Sequence, residues 1–436
     1  MTSLLTPAPP WRNWGRSFSA QPSFAARPSS ADEVAAVIRS ARDRSLPVKA
    51  VGSGHSFSSI ASTTGVHVDL GALSGIVAVD GCLVTLGAGT KLHKLPALLD
   101  PLGLALTNMG DIDRQSLAGA TSTGTHGTGA TFGGLATQIV ALTLVTADGS
   151  ISRIDASSPL FHAARLGLGA LGIIVDLTIE CVPSFSLLAL EQPEPLDDVL
   201  DNFEARASAV DHFEFYWFPH TTTALTKSNS RLPIDEPPRL QSPLAAWVDD
   251  ELLANGVFAL TCGLGRIAPS TVPAVNRLAE KLVAQREIVD VSHRVFVADR
   301  RVRFREMEFA IPRSAVPEAL RAIRAAIESN GWRVSFPLEV RVAASDPNWL
   351  SPAFERESGY IAVHRYFRED PREYFESVEA IMASFGGRPH WGKMHNLDAA
   401  ALHEVYPRFD DFLAVRNALD PERVFGNEYL SRVLGD

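Results

Sequence analysis

The chain has 436 residues, 46% of them hydrophobic, enough to bury a large core in two or three domains. Its 50 acidic and 40 basic residues leave a formal charge of −10, and no basic block or aromatic–basic interleaving appears, which argues against a nucleic-acid partner. Three scattered cysteines without zinc-ligand spacing, Cys82, Cys181 and Cys262, point to a reducing compartment; early prolines, Pro7, Pro9 and Pro10, argue against a signal peptide, and no run of about 20 apolar residues predicts a membrane span, so a cytoplasmic protein is expected.

In chain order, residues 28–47 predict a helix capped by Ser29 or Ser30, with acids in its first turn and Pro47 past its end. A strand "VKAV" follows and runs into "GSGHS", residues 52–56. "GVHVDLGAL", "GIVAVDGCLVTLGAG" and "IVALTLVTADGSISRI" read as strands, and Asp80-Gly81 and Asp148-Gly149 as hairpin dipeptides. Between them "TKLHKLPALLDPLG" reads as a short amphipathic helix, and "SLAGATSTGTHGTGA", residues 116–130, as a second glycine-rich loop. The part up to about Pro183 is therefore α+β.

Beyond residue 185 the pattern changes. "LDDVLDNFEARASAV", "PEALRAIRAAIESN" and "REYFESVEAIMASFG" predict helices, while "HFEFYWFP", "RVSFPLEVRVAA" and "GYIAVHRYF" predict strands. Residues 230–244 are proline-rich and read as a surface loop, and the tail is helical with a turn at Asp420-Pro421. The boundaries drawn are 1–184, 185–404 and 405–436.

One complete G-x-G-x-x-G is present, at Gly167, Gly169 and Gly172. A dinucleotide fingerprint needs a strand before it and a helix after it. Here the helix-like "PLFHAARL" precedes and the strand-like "IIVDLTIE" follows, so no helix N-terminus would face a pyrophosphate. The two other glycine-rich segments suit an anion better. Small residues let successive N–H groups reach it, and the hydroxyls of Ser116, Thr123 and Thr125 add donors, each worth roughly 1.5–3 kcal/mol against a charged group. Glu339 and Arg341 are two apart on a predicted strand and share a face, with Leu338, Val340 and Val342 on the other. Such a pair is either a solvated ion pair worth about 0–1 kcal/mol or a donor–acceptor set for a hydroxyl-rich ligand. His364 and Tyr366 likewise share a face. His390 and His395 flank Lys393, but with no third ligand in view no metal site is expected.

Together "VGSGHS", "GATSTGTHGTG", "LGALGIIVDLTIE", "EVRVAASDPNWLSPA" and "RPHWGKMH" resemble the vanillyl-alcohol-oxidase-type flavoproteins, in the branch of sugar-1,4-lactone oxidoreductases and alditol oxidases, from about Trp14 to Leu434. The resemblance implies a PCMH-type FAD-binding domain over residues 1–184, a cap domain of antiparallel sheet plus helices over 185–404 that binds substrate, and a C-terminal segment returning to the first domain. It implies FAD joined covalently through His55. Gly52, Ser53, Gly54 and Ser56 would line the pyrophosphate, and Ser116, Gly119, Thr123, Gly124, Thr125 and His126 the rest of FAD, with the backbone of Ile173 or Ile174 at the pyrimidine edge. Asp111, expected as a further cofactor contact, stands where the alditol oxidases carry a serine, and Tyr366 where they carry a threonine. "GDID", residues 110–113, looks like the lactone branch. The activity implied is oxidation of an L-gulono-1,4-lactone-type substrate at its 2-hydroxyl to an ascorbate-type product. A xylitol or sorbitol oxidase is the alternative, and dioxygen or a carrier such as a cytochrome takes the electrons. His364 is the expected proton acceptor, Glu339 the binder of sugar hydroxyls, and Arg341 and Lys393 the stabilisers of developing negative charge.

Overall fold

The computed structural model describes residues 4–242, 256, 258–282, 284–298 and 300–436. Its first helix, Ala31–Arg42, starts where the sequence places it. Ser30 Oγ accepts the Glu33 N–H, and the Glu33 carboxylate returns to the Ser29 N–H at 2.7 Å. Such a cap contributes about 1 kcal/mol. Val34, Ala35, Val37, Ile38 and Ala41 form its buried stripe. The helix is the crossover between Phe24–Ala26, a strand the sequence reading missed, and Val48–Val51; both pair parallel to Val66–Asp69 in a four-stranded sheet. Val48, Val66 and Val68 are buried there, as parallel strands require.

A five-stranded antiparallel sheet follows, in the order Ile151–Asp155, Ile139–Val145, Ile173–Glu180, Leu83–Gly87, Ile76–Asp80. Both expected hairpins form, with Gly81 and Gly149 at positive φ and the Asp148 carboxylate taking the Ser150 N–H. The Gly167–Gly172 turn joins the short helix Phe161–Ala164 to the strand Ile173–Glu180, the reverse of a dinucleotide fingerprint. Its last glycine is obligatory: φ is 157°, and a Cβ there would lie 2.6 Å from the Val145 carbonyl.

The second domain is built on its own sheet, hence the second sheet, of eight strands, all antiparallel, in the order Arg286–Val291, Ser186–Pro195, Thr223–Leu232, His212–Trp217, Leu338–Ala343, Ser358–Tyr366, Phe304–Pro312, Arg388–Pro389. Five of these, Ser186–Pro195, Thr223–Leu232, Arg286–Val291, Phe304–Pro312 and Arg388–Pro389, were not foreseen. The strand expected over "RVSFPLEVRVAA" starts only at Leu338, after Pro337, whose ring supplies no N–H for a ladder. Residues 230–232 of the expected proline-rich loop belong to a strand, and residues 243 and 244 lie outside the described residues.

This sheet has two unlike faces. On one, Phe213, Phe215, Trp217, Leu338, Val340, Val342, Ile361, Val363 and Met307 pack beneath the helices Val316–Ser329 and Arg372–Ser384. Each large apolar side chain buried there stabilises the fold by about 1.5–3 kcal/mol. On the other face the register sets Glu214 opposite Arg341, Tyr216 opposite Glu339, and Glu306 opposite His364. That face looks onto the first domain. The halves are pinned where they meet: Gly129 N–H donates to the Val342 carbonyl at 2.9 Å, and Phe57 N–H to the Gly392 carbonyl at 2.6 Å. The C-terminal helices Ala399–Val405, Phe409–Leu419 and Glu428–Leu434 return to the first core, where Leu402, Phe412 and Leu430 are buried.

Candidate active site

The strand Val48–Val51 delivers Gly52–Ser56 to one wall of a long cleft, with Gly54 at φ 67°. A Cβ on Gly52 would sit 2.2 Å from Ser116 Oγ, so the two glycine-rich segments touch through a glycine. The second segment is not a plain loop: Leu117–Ser122 forms a short helix, and Ser116 at its start makes no capping bond, which leaves its hydroxyl to the cleft. Ser53, His55, Ser56, Gly119, Thr123, Ile173 and Ile174 line the same cleft. Gly124, Thr125, His126 and Asp111 stand off its wall. Thr125 is tied to Gln115, and His126 turns toward the second sheet, stacking on Tyr360 with ring centroids 3.7 Å apart and reaching Glu308 at 3.3 Å.

His55 lies where this cleft meets a second cavity, bordered by Trp14, Arg114, Arg300 and Arg303. Its ring stacks on Trp14, with centroids 5.3 Å apart and planes at 20°. Burial, reinforced by Lys393, Lys91 and Arg114, pushes its pKa down to about 4. At neutral pH the ring is uncharged and keeps a nitrogen lone pair.

Arg300 connects the second cavity to a buried charge cluster. Its guanidinium is 2.7 Å from Asp111 and 3.8 Å from Glu339. Arg341 contacts Glu339, meets Glu214 at 2.9 Å and Asp111 at 3.1 Å, while Lys227 lies 3.7 Å from Glu214. Tyr216 Oη donates to Glu339 at 3.1 Å. Three carboxylates thus face three cations. Burial alone would raise every carboxyl; for Asp111 it is outweighed by Arg300 and Arg341, and for Glu214 by Arg341 and Lys227, so both stay below the usual range. Glu339 is held above it, by burial first.

A second charge group adjoins the first. Glu306 contacts Lys393 and lies 3.6 Å from His364 Nε2, while His364 Nδ1 faces the Pro337 carbonyl at 2.9 Å. A carbonyl only accepts, so Nδ1 carries the proton and Nε2 is the basic nitrogen of the neutral ring. His364 is 2% exposed and lines neither cavity; Tyr366, on the same strand face, is half-buried against Phe367. Lys393 sits 5.2 Å over the Phe57 ring. His395 meets the Tyr429 hydroxyl at 3.1 Å. Among the described residues His126, Glu308 and His390 bring ligand atoms within 4.8 Å of one another. His390 Nδ1, however, accepts the Gly392 N–H, so Nε2 holds the proton and offers no lone pair to an ion.

Sequence reasoning missed Glu214, Tyr216, Arg300, Glu306 and Glu308. All but Arg300 had a readable signal: "HFEFYWF" and "FREMEFAIP" carry lone polar residues at alternate positions inside apolar strands, the pattern that pointed to Glu339 and Arg341.

Residues 22–155 match the model of the FAD binding domain, and residues 177–433 that of D-arabinono-1,4-lactone oxidase. The chain is 43% identical to L-gulono-1,4-lactone dehydrogenase of Mycobacterium tuberculosis, over 98% of this chain and 100% of that one. It is 37% identical to L-gulonolactone oxidase of Bos taurus, over 97% and 98%. Among solved structures, cholesterol oxidase from B. sterolicum superposes with a TM-score of 0.82 at 16% identity, covering 98% of this chain and 96% of that one, a likeness of fold.

Proposed function

Since the chain belongs to the D-arabinono-1,4-lactone oxidase family, we propose that it is an FAD-dependent oxidoreductase that oxidises a sugar-1,4-lactone of the L-gulono type at its 2-hydroxyl. The observation that carries this reading is the place of His55, a neutral imidazole on the wall of both the glycine-lined cleft and the cavity beside the charge clusters. The cleft suits FAD: its wall carries glycines, N–H groups, hydroxyls and two ammonium groups, and its carboxylate, Asp69, is engaged by the Gly71 N–H and lies 3.6 Å from Arg27. Bound there, FAD supplies the two-electron acceptor. His55 would be its covalent attachment point, because an uncharged ring nitrogen is a nucleophile and an imidazolium is not; in forming that bond the flavin methyl carbon and the imidazole would each give up a proton, and two electrons would pass through the flavin to the electron acceptor.

The second sheet supplies what a lactone needs. Glu339, Tyr216 and Arg341 offer acceptors and donors for ring oxygens and hydroxyls, and Asp111 and Glu214 hold Arg341 in place. Oxidation removes a proton from the 2-hydroxyl and a hydride from its carbon. We assign the proton to the His364–Glu306–Lys393 set, with His364 Nε2 as its basic member and Glu306 stabilising the imidazolium. Arg341 and Lys393 offset charge developing on the substrate oxygen. The 2-keto lactone formed enolises to an ascorbate-type product. Dioxygen or a carrier such as a cytochrome then takes the electrons. The free thiols support a cytoplasmic setting, and no described helix is long and apolar enough to cross a membrane.

The test is anaerobic mixing with L-gulono-1,4-lactone, D-arabinono-1,4-lactone and xylitol while flavin absorbance is followed, then admission of air. Bleaching by a lactone and not by xylitol is expected, and rapid return of colour in air marks an oxidase. Bleaching by xylitol alone would overturn the lactone reading. An acid-precipitated pellet without flavin would overturn the covalent link.

A further inference from the structure

FAD carries two negative charges on its diphosphate, yet the glycine-rich segments offer only neutral N–H and hydroxyl groups. Two lysines line the cleft, Lys49 and Lys91. Neither has a carboxylate within 4 Å among the described residues. They are differently placed. Lys49 is buried on Val48–Val51, and its ammonium lies 3.5 Å from the Gly169 carbonyl.

Lys91 stands at the junction of the two segments. Its backbone bridges Ser116, and the neighbouring bonds, Leu92 N–H to the Gln115 carbonyl and Leu117 N–H to the Thr90 carbonyl, lock it against the start of the second segment. Its ammonium crosses to the first segment and donates to Ser53 Oγ at 2.9 Å. Ser53 is itself fixed, because its hydroxyl donates to the Arg114 carbonyl. An ammonium has three donors, and one is spent on Ser53, so two remain.

We infer that Lys91 is the counter-charge for the dinucleotide diphosphate, holding one phosphate oxygen between the two glycine-rich segments. This rests on the FAD reading above. The lysine lies in "TKLHKLPALLDPLG", which reads as a short amphipathic helix, and only the fold carries its ammonium to Ser53.

The experiment uses the full chain in a His55→Ala background, freed of flavin, with fluorescence of the tryptophan neighbouring position 55 as the signal. ADP, which carries the diphosphate, and riboflavin, which does not, are titrated into chains bearing Lys91, Lys91→Gln or Lys91→Arg. Loss of one charge-assisted contact should weaken ADP roughly 10- to 100-fold in Lys91→Gln. Riboflavin binding should be unchanged, and Lys91→Arg should restore most of the ADP affinity. Equal ADP affinity in the Lys91 chain and the Lys91→Gln chain would overturn the assignment. So would an equal loss of riboflavin, since Lys91 would then only staple the segments. If the Lys91 chain takes up neither FAD nor ADP, the cofactor reading fails and the assignment falls with it.

Discussion

Glu306→Gln keeps the shape of a side chain that is 4% exposed and removes its charge. The carboxylate contacts the Lys393 ammonium and lies 3.6 Å from His364 Nε2. Burial alone would raise its pKa; Lys393 outweighs that first, and the carboxyl is held at about 2 instead of 4.5. A fall of that size corresponds to about 3 kcal/mol of stability, close to the 3–5 kcal/mol typical of breaking a buried pair. The native carboxyl is the stronger acid, so this stabilisation is complete above pH 4.5 and disappears as pH falls toward 2. Urea denaturation of both chains between pH 7 and pH 3.5 measures it. The variant should be less stable by about 3 kcal/mol from pH 7 to pH 5, and the gap should narrow by about 1.4 kcal/mol per unit below pH 4.5. A gap under about 0.5 kcal/mol at pH 7, within the range of surface substitutions, would refute the reasoning. So would a gap that does not change down to pH 3.5.

His364→Ala should slow lactone-driven flavin reduction by about 10²-fold or more in anaerobic stopped flow, the usual size of an acid–base contribution; a wild-type rate would remove His364 from the mechanism. Lys49→Met should raise stability in the flavin-free chain. Burial lowers the Lys49 pKa to about 7 from 10.5, so the unfolded chain binds the extra proton between those values and the native chain does not. The penalty, up to about 5 kcal/mol, is therefore fully present below pH 7 and fades toward pH 10.5. A stability difference between the two chains that is the same at pH 7 and pH 10 would contradict it.

Local patterns carried a large part of the architecture. The first helix was legible because its cap, its first-turn acids and its buried stripe are all local. The Asp80-Gly81 and Asp148-Gly149 turns were legible because a tight hairpin needs positive φ at particular positions. Glu339 and Arg341 were placed on one face because strand side chains alternate. Phe24–Ala26 and Ser186–Pro195 were missed, because a three-residue strand has no measurable period and the longer one ends in Pro193 and Pro195 at a sheet position that tolerates them. Glu306 and Glu308 had the right alternation, but nothing local says that the strand carrying them lies beside the one carrying His364.

What the sequence determined by itself is therefore the chemistry available and its local geometry: two glycine-rich segments, each with an imidazole, and strands with one polar face. Tertiary structure alone decided which groups meet. It put Lys91 on Ser53, Arg300 on Asp111 and Glu306 between Lys393 and His364, across separations of 38, 189, 87 and 58 residues. The physical reason is the reach of the forces involved. Backbone preferences and side-chain periodicity act over a few residues, whereas a buried charge must find its partner wherever the chain returns, and that is set by how the two sheets close on each other.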